Sequence, residues 1–482
     1  MIINNGGPPL RTDEVVLFPF DDCSIPFQLG VRLHLVPNTY RGGRRKVVLR
    51  TGGPEAPDSD RVIYYGTVLK VGEELWMWYL GQGDDRTERV CFAKSRDGYN
   101  WEKPSLGLVD YKGNTDNNLV DLMEGKHYVQ ACVVFYEPDD PDPRRKFKMA
   151  FESRKYHNRL AVAFSEDGLR WEESPKNPVE PVGVFFEMAG GTRFNGCYYL
   201  TGQLIGDSHF LASRKLETRA SYDFENWTPS TCLGLRRDNI PPRPMEYHHH
   251  DGEQLHLGAG LWNRGNVIIG LYGMWHGHPS DDRKLLTMDL GLVVTNDALH
   301  YREPIPDFRM VSAAEDRPVD SPGRLRFPAL IQGQGFENIG EETLFWYAPW
   351  PESESRGVRV AMWPRDRLGY FQPFLGPGKD THFISAPIDL QGRPARIHMN
   401  IDGISEYNKV SVEILDERFE AVPGYSRDTC VGPEESGLCR VIKWQNRKVL
   451  EGLEGQVRIR VSFEGIRPED LRLYAVYIEH TG

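Results

Sequence analysis

What the chain lacks narrows it first. Its seven cysteines, an odd number, are scattered and include no Cys-x-x-Cys pair. Neither a disulfide framework nor a cysteine-built metal site is therefore expected, and a reducing compartment fits. Cys430 and Cys439 could meet across "CVGPEESGLC". No stretch approaches the roughly 18 apolar residues of a membrane span, so no membrane partner is expected. The opening "MIINNGGPPLRTDEVV" has no basic segment followed by an apolar run, which points to a cytoplasmic protein. Basic residues are in deficit: 58 Lys and Arg stand against 69 Asp and Glu, a net charge of −11. Without a basic stripe, nucleic acid is not an expected partner. No P-loop, Rossmann fingerprint or nucleophile elbow is present, so nucleotide-dependent and serine-hydrolase chemistry have no carrier.

What is present is a repeated phrase. It reads "AKSRDGYNWEKP" around Asp97, "AFSEDGLRWEES" around Asp167, "RASYDFENWTPS" around Asp223 and "VVTNDALHYREP" around Asp297, with a degraded copy, "AMWPRDRLGYFQP", around Asp366. The aspartates are 70, 56, 74 and 69 residues apart. Asp-Gly between apolar runs is a hairpin turn, because Gly accepts positive φ and Asp bonds nearby backbone. Asp97, Asp167, Asp223 and Asp297 belong to turns and not to chemistry. Each unit also carries short alternating runs, such as "VIYYGTVLKVG" and "EELWMWYLGQ", the signature of strands. Five units of four strands predict an all-β, five-bladed β-propeller over residues 1–375, with an N-terminal arm over 1–59. The phrase does not recur after "LGPGKD", and clean alternation there predicts an antiparallel β-sandwich over 376–482.

The innermost strand of each blade lines the central channel, so polar residues there converge on a pocket. In this register the inner strands follow Asp60, Tyr128, Phe185, Glu246 and Arg324. The most polar stretch of the chain, "EYHHHDGEQLH" from Glu246 to His256, then leads into the fourth. It holds four of the chain's 14 histidines, and His276 and His278 follow in "LYGMWHGHPS".

The five-unit pattern, "SRDGYNWEKP", the "FPFDDCSIP" element and the trailing sandwich resemble the five-bladed-propeller glycoside hydrolases of the family-32 and family-43 type, together with their mannoside-phosphorylase relatives. The resemblance implies a glycosidase acting on an oligosaccharide through inner-strand carboxyls, with a carbohydrate as partner and no required cofactor. The acid glutamate of such enzymes sits nine residues ahead of a hairpin Gly followed by a Tyr pair. Here "EMAGGTRFNGCYY" places Glu187 nine before Gly196, with Tyr198 and Tyr199 after it. The other two carboxyls of that pattern are absent. Tyr65-Gly66 and Gln130 or Cys132 stand in their places, and Asp58 and Asp60 are the nearest acids to the first.

The expected catalytic set is therefore Glu187 as acid and Asp251 as base, with Glu246 and Asp60 in reserve. Glu253 is a further carboxyl of the cluster. Three roles stay open for the histidines: a polar network shaping the channel, a sugar and acid–base site, or a metal site in which His248 and His250, on one strand face, share an ion. His248, His250, His256, Trp262, Arg264, Trp275, His276, Arg326 and Gln334 are the expected substrate contacts, as aromatic platforms or polar donors. Phosphorolysis would need a basic pocket, for which Arg193, Arg264 and Arg326 are the candidates. A glycan-binding protein without turnover is the alternative that the missing carboxyls favour.

Overall fold

The structure, a computed structural model, describes residues 1–38, 47–180, 184–206, 214–237, 255–276, 287–313, 329–349 and 357–481. Among them there is almost no helix, only short 3-10 turns. No helix is long and apolar enough to cross a membrane.

Five antiparallel sheets follow one another along the described chain. The first holds Arg61–Val71, Glu74–Gln82 and Glu88–Ser95, with Glu102 bridged to its edge at Lys94. The second holds Val129–Tyr136, Phe147–Ser153, Arg159–Ser165 and Glu172–Glu173. The third holds Val184–Phe194, Cys197–Gly206, Leu216–Ser221 and Cys232–Leu235. The fourth holds Leu255–Asn263, Ile268–His276, Thr287–Thr295 and Arg309–Val311. The fifth holds Leu330–Ile339, Glu342–Pro349 and Val358–Pro364, and Val47–Leu49 from the start of the chain completes it. The first strand of each sheet packs beside that of the next, and the fifth returns to the first, where Gln334 and Thr67 share a parallel bridge. A closed cycle of curled sheets fits a propeller.

The repeated aspartates are turn residues. Asp97 Oδ1 accepts the Tyr99 and Asn100 N–H groups, both at 2.8 Å. Asp167, Asp223 and Asp297 repeat the arrangement. Gly98 and Gly168 take φ of +76° and +75° at the next position, whereas Phe224 and Ala298 hold 69° and 64° in the other two copies. The backbone bonds that each aspartate accepts keep even a bulky side chain in the left-handed region. Neighbouring sheets are tied at these turns: Trp78 Nε1 donates to Gly168 O at 2.8 Å, and Trp346 Nε1 to Gly98 O at 3.0 Å.

Two further six-stranded sheets pack their apolar faces into a separate core that includes Ile397, Met399, Val412, Ile414, Ile459 and Val461. Of the expected N-terminal arm, residues 1–59, Val47–Leu49 completes the fifth sheet and four earlier strands pair with these two sheets. Ile2–Ile3, Glu14–Leu17, Phe27–Leu29 and Val31–Leu35 pair with strands from residues 369–480. All seven cysteines are free. Cys430 Sγ accepts the Val412 N–H at 3.2 Å, while Cys439 lies 3.3 Å from His398 Nδ1, so these two thiols make separate contacts.

Candidate functional site

The five first strands run in one direction, so the ring has two distinct ends. The end from which they start is termed the entrance. Tyr65, Gln130, Glu187, His256 and Gln332 all lie in the leading halves of these strands. Strand alternation turns such residues toward the axis or into the joints between sheets.

Glu187 is half-buried, and each of its oxygens is held by an amide from a different sheet. Gln130 Nε2 donates to Oε1 at 2.9 Å and Gln203 Nε2 to Oε2 at 2.5 Å. Two donors on the two oxygens fix the plane of the carboxyl group. Gln203 is itself fixed, because its Oε1 accepts the Leu257 N–H of sheet four at 3.1 Å. The peptide after Glu187 is anchored as well: Met188 N–H donates to Glu152 Oε1 of sheet two at 3.0 Å. Burial is the main force raising the Glu152 carboxyl well above its usual range, and the charge of Glu187 adds to it.

Tyr65 stands where the resemblance implies a carboxyl. Its phenol is held well above its ordinary range, first by burial and then by the nearby charges of Glu187 and Glu88. The Tyr65, His256 and Trp275 rings form a column with centroid spacings of 5.9 and 5.7 Å. Beside it, Glu88 lies 3.8 Å from Arg61 and 3.4 Å from Gln82 Nε2. The Arg154 guanidinium covers the Tyr128 ring at 4.2 Å. Burial raises Glu88, and a hydrogen bond from Tyr128 with the charge of Arg61 offsets only part of that.

Several expected contacts have other duties. His256 is 4% exposed and Trp275 1%, so neither offers a face to a sugar. His276 Nε2 meets Asp289 Oδ2 at 2.7 Å, and Asp289 also lies 3.0 Å from Arg309. Burial would raise Asp289, but its bonds to His276 and the Ala313 N–H hold it below the usual carboxylate range. Gln334 is buried and works as a splint: its Oε1 accepts the Gly191 and Leu261 N–H groups, and its Nε2 donates to Leu261 O. Trp262 and Arg264 lie at the opposite end of the ring. There Trp262 stacks on Phe336 at 5.3 Å, and the Arg264 guanidinium covers Trp262 at 4.5 Å while pairing with Asp366. Arg193 lies at that end too, 3.1 Å from Glu137.

Asp60 is exposed just before the first strand of sheet one, and its N–H donates to Gln82 O. Asp58 is buried and held by Tyr79 and Lys103. Glu246, His248, His249, His250, Asp251, Glu253, His278 and Arg326 lie outside the described residues. Among the described residues the one metal-like trio is Asp21, Asp22 and Cys23. Arg302 already pairs with both of its aspartates.

Sequence reasoning reached Glu187 and noted Gln130, but missed Gln203 and Glu152. Each is a polar residue inside a largely apolar strand run, "YYLTGQL" and "FKMAFES", and that is the signal available for them.

No family model matches the chain. Two curated Mycobacterium tuberculosis proteins, from strains CDC 1551 and H37Rv and both described as uncharacterized, are 31% identical to it over 119 residues, which is 23% of this chain. The match spans 34% of the length of each relative. Among solved structures, a glycosyl hydrolase from Bacteroides ovatus covers 69% of this chain and 98% of its own, at 14% identity and a TM-score of 0.43. A thermostable family-43 glycoside hydrolase covers 67% and 95%, at 14% identity and 0.41. An exo-β-1,3-galactanase from Phanerochaete chrysosporium covers 90% and 99%, at 10% identity and 0.38. The chain thus resembles glycoside hydrolase structures, at identities that leave its site to be argued from its own residues.

Proposed function

We propose that the chain is a five-bladed β-propeller followed by an antiparallel β-sandwich, and that it is a glycosidase whose proton donor is Glu187. One observation carries this: a half-buried carboxyl at the entrance of the ring, with both oxygens oriented by amides from adjoining strands. A channel mouth with one accessible, rigidly aimed carboxyl suits the protonation of a glycosidic oxygen.

Hydrolysis also requires a second carboxyl across the scissile bond, roughly 6.5–9.5 Å away for inversion or about 5 Å for retention. Asp251 is the proposed base, with Glu246 and Asp60 as alternatives, and inversion is the favoured outcome. The scheme needs no cofactor. Gln130 in place of an acid leaves Glu187 with a neutral neighbour on that side, so proton transfer depends on Glu187 and the water-activating group alone.

A second reading is a glycan-binding protein without turnover. It is favoured by the burial of the two other carboxyls tied into this end of the ring, Glu152 at 1% and Glu88 at 6% exposure. Phosphorolysis draws less support, since Arg193 and Arg264 each stand on a carboxylate at the far end.

A panel of chromogenic glycosides, assayed with and without inorganic phosphate, separates the three. Turnover that disappears in Glu187→Gln while sugar binding persists supports the proposal, and unchanged turnover removes Glu187 from the mechanism. Dependence on phosphate selects phosphorolysis. Binding with no turnover on any member selects the second reading.

A further inference from the structure

We propose that Glu152 is a positioning residue for Glu187: it keeps its proton through the working pH range and holds the Met188 peptide so that Glu187 faces the entrance. The functional half of this inference rests on Glu187 being the working carboxyl.

The joints between neighbouring sheets explain why Glu152 stands out. At each joint a side chain near the axis reaches a backbone group of a neighbouring first strand, and at the fifth-to-first joint the Tyr64 hydroxyl donates to Gln334 O at 2.9 Å. Thr67 Oγ1 accepts the Val134 N–H at 3.0 Å. Thr201 Oγ1 donates to Ala259 O at 2.7 Å. Gln203 takes the Leu257 N–H, and Gln332 Nε2 donates to the His256 and Gly258 carbonyls at 2.6 and 2.8 Å. Every one of these is neutral. Glu152, joining sheet two to sheet three, is the carboxyl among these described joints. An amide or hydroxyl suffices at the other joints, so stapling alone does not call for a carboxyl here.

The surroundings of Glu152 disfavour its charge. It is 1% exposed. Among the described residues, the charged groups that bear on it are Glu187, on the strand it staples, and Glu180, just before that strand, and both are acidic. Glu180 has its own cation, Arg219, at 3.2 Å. A buried carboxyl facing two acids and a single peptide N–H stays protonated. Its carbonyl oxygen then accepts from Met188 without placing a second negative charge under Glu187. Ionised, it would repel Glu187 through the same short path. The site therefore pairs one carboxyl that works with one kept neutral.

The sign of the pH dependence follows. A carboxyl whose folded pKa is raised contributes stability that is fully present below its ordinary range and is lost as pH rises through the raised value. Thermal denaturation of wild type and Glu152→Gln from about pH 4 to about pH 9 tests this without any substrate. Glu152→Gln should be no less stable than wild type at any pH, and more stable at the alkaline end. Lower stability than wild type at neutral pH would mean that a charged Glu152 is being used, and overturns the inference. If Glu152→Gln does not fold, Glu187→Gln serves instead: relief of repulsion predicts a gain in Tm over wild type that grows with pH, and a gain that does not grow overturns it. On a glycoside the protein turns over, Glu152→Gln should keep kcat and extend activity to higher pH. Glu152→Ala should lose about 10-fold or more in kcat with KM little changed. Equal kcat for the alanine variant and wild type overturns the positioning role. The melting curves do not depend on turnover, so failure of the glycosidase proposal and failure of this one appear in different experiments.

Discussion

The same five strands make both ends of the ring, and the two ends treat polar groups in opposite ways. At the far end, Arg264 and Asp366 neutralise each other in a buried pair that also takes Asn338 Nδ2 at 3.1 Å and the Tyr477 hydroxyl at 2.8 Å. Tyr477 comes from a strand of the C-terminal sheets, so this end is both covered and charge-balanced. At the entrance, Glu187 is aimed by two neutral amides and keeps part of its surface open. A charge matched by its opposite and sealed away serves stability, whereas one that is held in place but left unmatched can serve chemistry.

Substitutions at the two ends should therefore fail differently. The largest effect is expected from Glu187→Gln: loss of a proton donor costs about 10²–10⁴ in turnover, with a melting temperature no lower than that of wild type. A comparable loss of stability with activity per folded molecule intact would place Glu187 with the far end. Next, Asp366→Ala leaves Arg264 buried and uncompensated, at a cost of about 3–5 kcal/mol. Urea unfolding should register it, while KM for any glycoside turned over stays as in wild type. A smaller effect comes from Gln203→Leu, which strips one donor from Glu187 and the acceptor from the Leu257 N–H, worth about 1–3 kcal/mol. It should lower both kcat and stability, and a change in only one of them would show the two bonds to be independent. Smallest is Asp97→Asn, in the turn that follows Ser95. Burial raises Asp97, but its bonds from Asn100, Tyr99 and Ser95 bring it down to about 2. A depressed carboxyl contributes stability that is present above its unfolded value and is lost as pH falls toward about 2. The variant should melt about as much below wild type as one such hydrogen bond is worth, about 1 kcal/mol, at neutral pH, and converge with it in acid.

This contrast was only partly legible in the sequence. The strands were readable because alternation and an Asp turn repeat locally, so each unit carries its own signal. The expected inner-strand starts after Asp60, Tyr128 and Phe185 fall within two residues of Arg61, Val129 and Val184. The first four strands of the N-terminal arm were misplaced because two- to five-residue strands owe their pairing to partners more than three hundred residues away, which no local pattern encodes. Glu187 was singled out by its spacing to Gly196, and it sits half-buried between Gln130 and Gln203. Trp262, Arg264, Trp275 and Gln334 were equally plausible by residue type, since a Trp or Arg in a strand looks alike whether it faces a pocket or a joint. What separated them was which end of a strand each occupies and what lies across the interface, and both are set by tertiary packing. Gln203 and Glu152 went unseen for a related reason: a polar residue on a second strand acts here only because the next sheet supplies its partner.

The threading of the chain's two termini has a practical side. Glu14–Leu17 lies in register against Leu17's partner Val476 and its neighbours in the strand Arg472–His480, and Val47–Leu49 finishes the fifth sheet of the ring. Glu14–Leu17 must wait for Arg472–His480 before it finds its partner, so a nascent chain carries unmet edges until that strand is made. Cutting at the apparent boundary near residue 376 would yield two fragments that each lack strands held by the other, and co-expression of both pieces, not either alone, is the route to a soluble split protein.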